Sequence, residues 1–151
     1  MVKSKSNSRL SSLVILAQTD TTVGFASQNH KKLSDIKSRP VSKPFIKVYN
    51  SFLACGIRVP HAKRSFVRRS KQTTFIVKNQ SFRINPNASN SQIQRDLIFY
   101  YSTSANEKGK DFDREFCESK ADIIIEDKNG LYESSSSTLL KINNTKVMRV
   151  R

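Results

Sequence analysis

Tryptophan is absent, cysteine and histidine number two each, and only 12 acidic residues face 27 lysines and arginines. Two cysteines permit no disulfide framework, and Cys55 and Cys117 are expected as free thiols in a reducing compartment. His30 and His61 stand alone, so no Cys/His grouping has metal-ligand spacing and both histidines read as surface residues. No apolar run approaches the ~20 residues of a membrane span. Leu13-Val14-Ile15-Leu16 is too short for a signal peptide and lacks a clear cleavage site. A cytoplasmic chain with no membrane partner is the expectation. No internal repeat, Ser-His-Asp set or paired carboxylates can be picked out.

What is present is a polar chain of 151 residues, 36% hydrophobic with mean hydropathy −0.53. That length suits one domain with a real core. Its net charge of +15 is lopsided: residues 1–80 hold 16 lysines and arginines against Asp20 and Asp35, whereas residues 81–151 nearly balance. The densest basic stretch is Arg58, Lys63, Arg64, Arg68, Arg69 and Lys71, with no acid among them. Such a field favours polyanions, either nucleic acid or nucleotide phosphates, although it also suits a solvated face.

Short strand-like and helix-like pieces alternate along the chain. Leu13–Leu16 is a strand candidate running into the turn Thr19-Asp20-Thr21-Thr22. A helix is expected over Gln28–Ile36, stopped by Pro40, then a strand over Pro44–Tyr49 and a basic helix over Ala62–Arg69. Thr73–Lys78 and Ser81–Ile84 read as paired strands across Asn79-Gln80. Ser91-x-x-Gln94 resembles a capping box, with Ile93, Leu97, Ile98 and Tyr101 at helical spacing behind it, so the turn from Ser102 follows a helix or a short strand at its end. Asp111–Ser119 reads as a second helix with acids in its first turn. Ile123–Ile125 reads as a buried strand before the turn Asp127-Lys128-Asn129-Gly130. Ser134–Ser137 reads as a flexible linker, and Thr138–Ile142 with Lys146–Val150 as a closing hairpin over Asn143-Asn144. The mixture implies an α/β (mixed α+β) domain around one sheet. Residues 1–12 form a basic N-terminal segment and 13–151 the domain.

Four polar groupings carry chemical interest: Thr19-Asp20-Thr21; Lys37-x-Arg39-Pro40-x-x-Lys43; the turn Ser102-Thr103-Ser104-Ala105-Asn106 leading to Gly109; and Ser137-Thr138 with Arg149. Small donors on a tight turn can surround a phosphate or carboxylate without crowding it. Taken singly, each also reads as an ordinary capped turn, a solvated charge pair or a frayed end.

Together the four resemble the YrdC-like family, whose members include the threonylcarbamoyl-adenylate synthases of tRNA modification. Gln18-Thr19-Asp20-Thr21-Thr22-Val23-Gly24 is similar to the family's Pro-Thr-Asp/Glu-Thr-x-Tyr-Gly strand end. Ile36-Lys37-Ser38-Arg39-Pro40-Val41-Ser42-Lys43 is similar to its Leu-Lys-x-Arg-Pro-x-x-Lys. Ser102 to Gly109 is similar to its Ser-Thr-Ser-Ala-Asn-x-Ser-Gly, and Ser137-Thr138 with Arg149 to its late Ser-Thr and Arg-Pro-Gly. The chain departs from the pattern at Gln18, Val23, Val150 and Ser70-Lys71-Gln72, and Arg83 stands where the family has the arginine of Val-Arg-Val-Pro.

The resemblance implies a single YrdC-like domain with a twisted mixed sheet flanked by helices. It implies condensation of ATP, L-threonine and bicarbonate into threonylcarbamoyl-AMP, with Mg²⁺ accompanying ATP and pyrophosphate released. Lys37 and Arg39 would position the reactants without acid–base chemistry. ATP would meet Lys37, Arg39, Lys43, Thr74, Ser104, Asn106 and Arg149; threonine would meet Thr19, Thr21, Ser102 and Ser137. A threonylcarbamoyl-transferase complex would then act on tRNA. A second expectation is a non-catalytic double-stranded RNA or tRNA binder, or a ribosome-associated factor, using Arg58, Lys63, Arg64, Arg68, Arg69 and Lys71.

Overall fold

A computed structural model describes residues 10–85 and 97–151. Among these, nine strands form one sheet: β1 (Ile15–Gln18), β2 (Val23–Ser27), β3 (Ile46–Tyr49), β4 (Thr73–Val77), β5 (Gln80–Ile84), β6 (Phe99–Ser104), β7 (Ile123–Ile125), β8 (Thr138–Ile142) and β9 (Val147–Arg149). The spatial order is β7-β1-β2-β6-β3-β5-β4-β8-β9. Pairs β1–β7, β3–β5 and β4–β8 are parallel and the rest antiparallel, so the sheet is mixed.

Four helices accompany it: α1 (His30–Ile36), α2 (Phe52–Cys55), α3 (Arg64–Arg69) and α4 (Arg114–Lys120). Each starts where a small polar or preceding turn supplies the missing acceptors. Asn29, Ser51 and Asp113 cap α1, α2 and α4 by accepting from Lys32, Ala54 and Phe116 N–H groups. The 3₁₀ turn His61–Lys63 runs straight into α3.

The strand register assigns each side chain to a face. Leu16, Phe25, Thr103, Phe99, Tyr49, Phe82 and Phe75 fall on one side, because cross-strand partners point the same way and neighbours in a strand point oppositely. On that side Leu33 of α1 and Cys117 of α4 pack on Leu16 and Phe25. Cys55 of α2 and Val67 of α3 pack on Tyr49, Phe75 and Phe82. The opposite face carries Ile15, Ala17, Ala26, Val48 and Tyr100 as a third cluster, and beside it a band of small polar side chains. Both thiols are free and buried.

Several local expectations change. The helical spacing through Leu97 and Tyr101 gives way to strand β6, because Tyr100 and Tyr101 bury on opposite faces between β2 and β3. The capping box at Ser91 lies outside the described residues. Ile123–Ile125 is an edge strand with Ile124 exposed, not a buried one, since only β1 borders it. His30 is no surface residue: its ring is half-buried, edge-on to Phe45 and Tyr101.

Candidate functional site

The band of small polar residues opens into a cleft of about 320 Å³. Gly24, Ile46, Arg83, Ser102 and Ser104 share the face opposite the four helices, and all five line it. Ser102 to Ser104 were expected on a turn. They are the end of β6, so Ser102 and Ser104 point into the cleft by strand alternation, and the turn starts only at Ala105. Opposite Ser104, Gly24 leaves the room: a Cβ there would lie 3.0 Å from the Thr103 carbonyl and 3.1 Å from Thr19 Cγ2.

One wall is the Thr19–Thr22 turn. Thr19 Oγ1 donates to the Thr22 carbonyl (2.5 Å) and accepts from the Thr21 N–H (3.2 Å), which presents the hydroxyl groups inward. Beneath it sits Arg83, 7% exposed, paired with Asp20 at 2.8 Å. Arg83 also donates to Thr21 Oγ1 (3.3 Å) and to Thr74 Oγ1 (3.3 and 3.4 Å). Thr74 is fully buried and shares a 2.8 Å hydrogen bond with Ser137. Thr74 therefore supports the floor without lining it. Buried Tyr100 lies near this pair; burial, with the Asp20 charge adding, pushes its phenol up to about 12.

Another wall is the segment before β8. Ser134–Ser137 is not a free linker. Tyr132 N–H donates to Gln18 Oε1 (2.9 Å) and Ser134 N–H to Thr22 Oγ1 (3.1 Å), while the Val23 N–H donates to the Tyr132 carbonyl. These bonds zip the segment along the start of β2 and bring Ser136 and Ser137 to the cleft. Gln18 thus has a definite task in this chain. So does Gln72, in the left-handed region at φ 51°, whose side chain donates to the Asp20 carbonyl at 2.7 Å.

The basic groups divide. Arg39 lines the cleft with its guanidinium 4.4 Å over the Phe45 ring and Nη2 donating to the Pro44 carbonyl (3.4 Å), which leaves its other N–H groups for a planar anion. Lys37 points away behind it, because Ser38 at φ 48° turns the chain between them. Lys37 is 8% exposed, and its ammonium donates to the Ser104 carbonyl (3.1 Å), the Asn106 carbonyl (2.8 Å) and Asn106 Oδ1 (2.7 Å). Those three bonds use all its protons and fix the end of β6. Burial pulls this ammonium below the usual lysine range; the Cys117 charge opposes the shift and Arg39 adds to it.

Of the residues singled out in the sequence, the structure brings Thr19, Thr21, Arg39, Ser102, Ser104 and Ser137 together around one cleft. Lys37, Thr74 and Asn106 brace it from behind, with Asn106 facing an adjoining hollow of about 280 Å³ that also touches Thr22, Ser104 and Ser136. Lys43 and Arg149 are exposed and line neither space. Arg151, two residues on from Arg149, does line the cleft and donates to the Ser137 carbonyl from Nε and Nη2 at 3.4 Å. Sequence reasoning missed it. No local signal marked it: Arg149 pairs with Leu140 on the helical face, and Val150 and Arg151 both donate to the Leu139 carbonyl, a bulge that breaks the alternation and brings Arg151 to the cleft. Arg58, Arg64, Arg68, Arg69 and Lys71 are exposed and Lys63 half-buried, on and around α3.

No carboxylate lines the cleft, and among the described residues no group of three His, Cys, Asp or Glu side chains could hold a metal ion. No described helix is long and apolar enough to cross a membrane.

No family model and no curated protein matches the sequence. Solved structures do match the fold. P. abyssi Sua5 complexed with L-threonine superposes with a TM-score of 0.68 at 16% identity, over 92% of this chain and 50% of that one. E. coli YciO gives 0.64 at 20% identity, over 92% of this chain and 82% of that one. Full-length HypF in its phosphate- and nucleotide-bound form gives 0.73 at 12% identity, over 97% of this chain and 28% of that one. The chain spans about half the length of the Sua5 structure. With its nine-stranded mixed sheet and helices packed against it, the chain has the YrdC-like fold of Sua5 and YciO.

Proposed function

We propose that this chain is an L-threonylcarbamoyladenylate synthase, condensing ATP, L-threonine and bicarbonate with release of pyrophosphate, and so supplying tRNA threonylcarbamoyladenosine modification. The observation that carries the reading is the cleft's lining: arginines and hydroxyls with no carboxylate. That lining suits ligands rich in anionic oxygen. The solved Sua5 complex with L-threonine and the phosphate- and nucleotide-bound HypF support the same reading through the shared fold.

In the reaction a threonine carbamate oxygen attacks the α-phosphorus of ATP, the bond to the β-phosphate oxygen breaks, and pyrophosphate carries away the electron pair. This needs in-line positioning and charge neutralisation rather than a proton shuttle. Arg39 and Arg151 take phosphate oxygens, Arg39 by a forked pair of N–H donors. Ser104, whose proton goes to Asn106 Oδ1 (2.7 Å), accepts from the nucleotide, and the hollow at Asn106, lined also by Lys110, Asp111 and Glu133, receives the nucleotide's far end. Thr19, Thr21, Ser102 and Ser137 orient the amino acid. Lys37 acts by holding the Ser104–Asn106 corner and by its charge. Mg²⁺ would enter with ATP and offset phosphate charge, and Asp111 and Glu133, which line the hollow at Asn106, are the carboxylates that would hold it there.

The test is mass-spectrometric detection of threonylcarbamoyl-AMP from ATP, threonine and bicarbonate. Arg39→Ala and Arg151→Ala should each lower product formation about tenfold or more, ~1.4 kcal/mol of transition-state stabilisation per factor of ten. Arg149→Ala should leave it unchanged. No product from the unaltered chain, or full product from both cleft variants, overturns the assignment.

A further inference from the structure

The far end of the helical face carries a second concavity. A groove of about 500 Å³ runs between α2 and α3, lined by Phe52, Leu53, Ile57, Arg58, Arg64 and Arg68 among others. It lies with the Tyr49–Phe82 core cluster, on the opposite side of the sheet from the cleft. Its chemistry is unusual in two respects. Leu53 is 93% exposed on a helix whose other residues turn inward, so folding leaves its whole apolar side chain in water. The three arginines have no acidic partner in any ion pair among the described residues, and Arg58, Arg64 and Arg68 are all exposed.

We infer that this groove docks a partner protein through an acidic segment bearing a large aliphatic side chain, the aliphatic group against Leu53 and Ile57 and carboxylates on the arginines. Charge complementarity selects the sign of the partner, since three guanidinium groups without acidic partners in one groove attract an anionic surface and repel a cationic one. The apolar floor selects a peptide over RNA. An RNA duplex would meet the arginines with phosphates and leave Leu53 in water, and a single strand would need an open aromatic face for base stacking. Phe52 is the one aromatic side chain lining the groove, and the Arg68 guanidinium already lies 4.5 Å over its ring. Stacked in this way, Arg68 keeps its N–H edge free for a bidentate carboxylate. Arg64 is held at the rim by its Nε bond to the Val59 carbonyl (3.2 Å), which leaves its terminal nitrogens facing outward. Arginine is among the residue types enriched at protein docking hot spots.

Fluorescence anisotropy with a labelled peptide of alternating glutamate and leucine tests this on the full chain. Binding should weaken about tenfold in Leu53→Ser and by at least as much in the double variant Arg64→Ala/Arg68→Ala. It should also be lost when serine replaces the peptide's leucines, and remain unchanged in Arg39→Ala. Leu53 and the arginines are exposed, so circular dichroism should show these variants folded. No binding, or equal binding of the leucine and serine peptides, overturns the proposal. So does a labelled RNA oligonucleotide that binds with a dependence on Leu53 and Arg68 while the peptide does not.

Discussion

Removing the guanidinium of Arg83 tests how the cleft is held. In Arg83→Leu, the Asp20 carboxylate loses its 2.8 Å partner, and the hydroxyls of Thr21 and Thr74 each lose a charged donor. Breaking a buried ion pair from one side costs about 3–5 kcal/mol, because the remaining charge stays desolvated. The Asp20 side chain is 24% exposed and recovers part of its hydration, which brings the ion-pair term down to roughly 2 kcal/mol. The buried Thr74 hydroxyl keeps its bond to Ser137 but loses a charged donor, which adds about 1 kcal/mol. The total of about 3 kcal/mol corresponds to a melting shift of roughly 6–12 °C for a domain of this size. Urea denaturation followed by far-ultraviolet circular dichroism is the natural assay, since the chain has no tryptophan. In the double variant Asp20→Asn/Arg83→Leu no charge is stranded, so the loss should shrink by at least about 1 kcal/mol relative to the sum of the single variants. A cost for Arg83→Leu below about 0.5 kcal/mol, or a cycle that is purely additive, refutes the claim that this pair supports the floor.

Two further outcomes follow from the packing. Tyr100 has its phenol raised to about 12 by burial, against 10 for the unfolded chain. A raised folded value means its contribution is intact below pH 10 and is lost as pH climbs toward 12, by up to roughly 3 kcal/mol. Tyr100→Phe should flatten that part of the alkaline stability curve, and parallel curves for the two proteins would refute it. Gly24→Ala places a methyl group 3.0 Å from the Thr103 carbonyl, backbone that moves only if β2 and β6 part. The expected cost is about 1–3 kcal/mol, read as a lower urea midpoint, and an unchanged midpoint would show the strands separate freely.

Alternation and capping, both local, made much of the architecture legible. Thr73–Lys78 and Ser81–Ile84 were legible as paired strands because β-branched and aromatic residues flank a polar turn, although the turn falls at Lys78-Asn79 and Gln80 already pairs with Val77. The helix at Arg114–Lys120 emerged from its leading acids, with Asp113 as the actual cap. Phe99–Ser104 misled because Ile93, Leu97, Ile98 and Tyr101 satisfy a helical spacing. Only the neighbours β2 and β3, from distant parts of the chain, make the extended form the one that pairs its backbone. The same dependence explains Ser134–Ser137: four serines carry no local preference, and Gln18 and Thr22 fix their path from more than a hundred residues away.

The sequence by itself determined which residue types the cleft contains: runs of small hydroxyls, Lys37-x-Arg39 and a strongly basic amino-terminal half are composition and spacing. The tertiary structure decided how they divide. Strand parity turned Ser102 and Ser104 toward Gly24, and the left-handed backbone at Ser38 sent Arg39 into the cleft and Lys37 behind it. The fold-back of the last residues put Arg151 at the cleft in place of Arg149. A side chain's type is a local fact. What it faces depends on register and on partners far away in sequence, and those exist only once the sheet has formed.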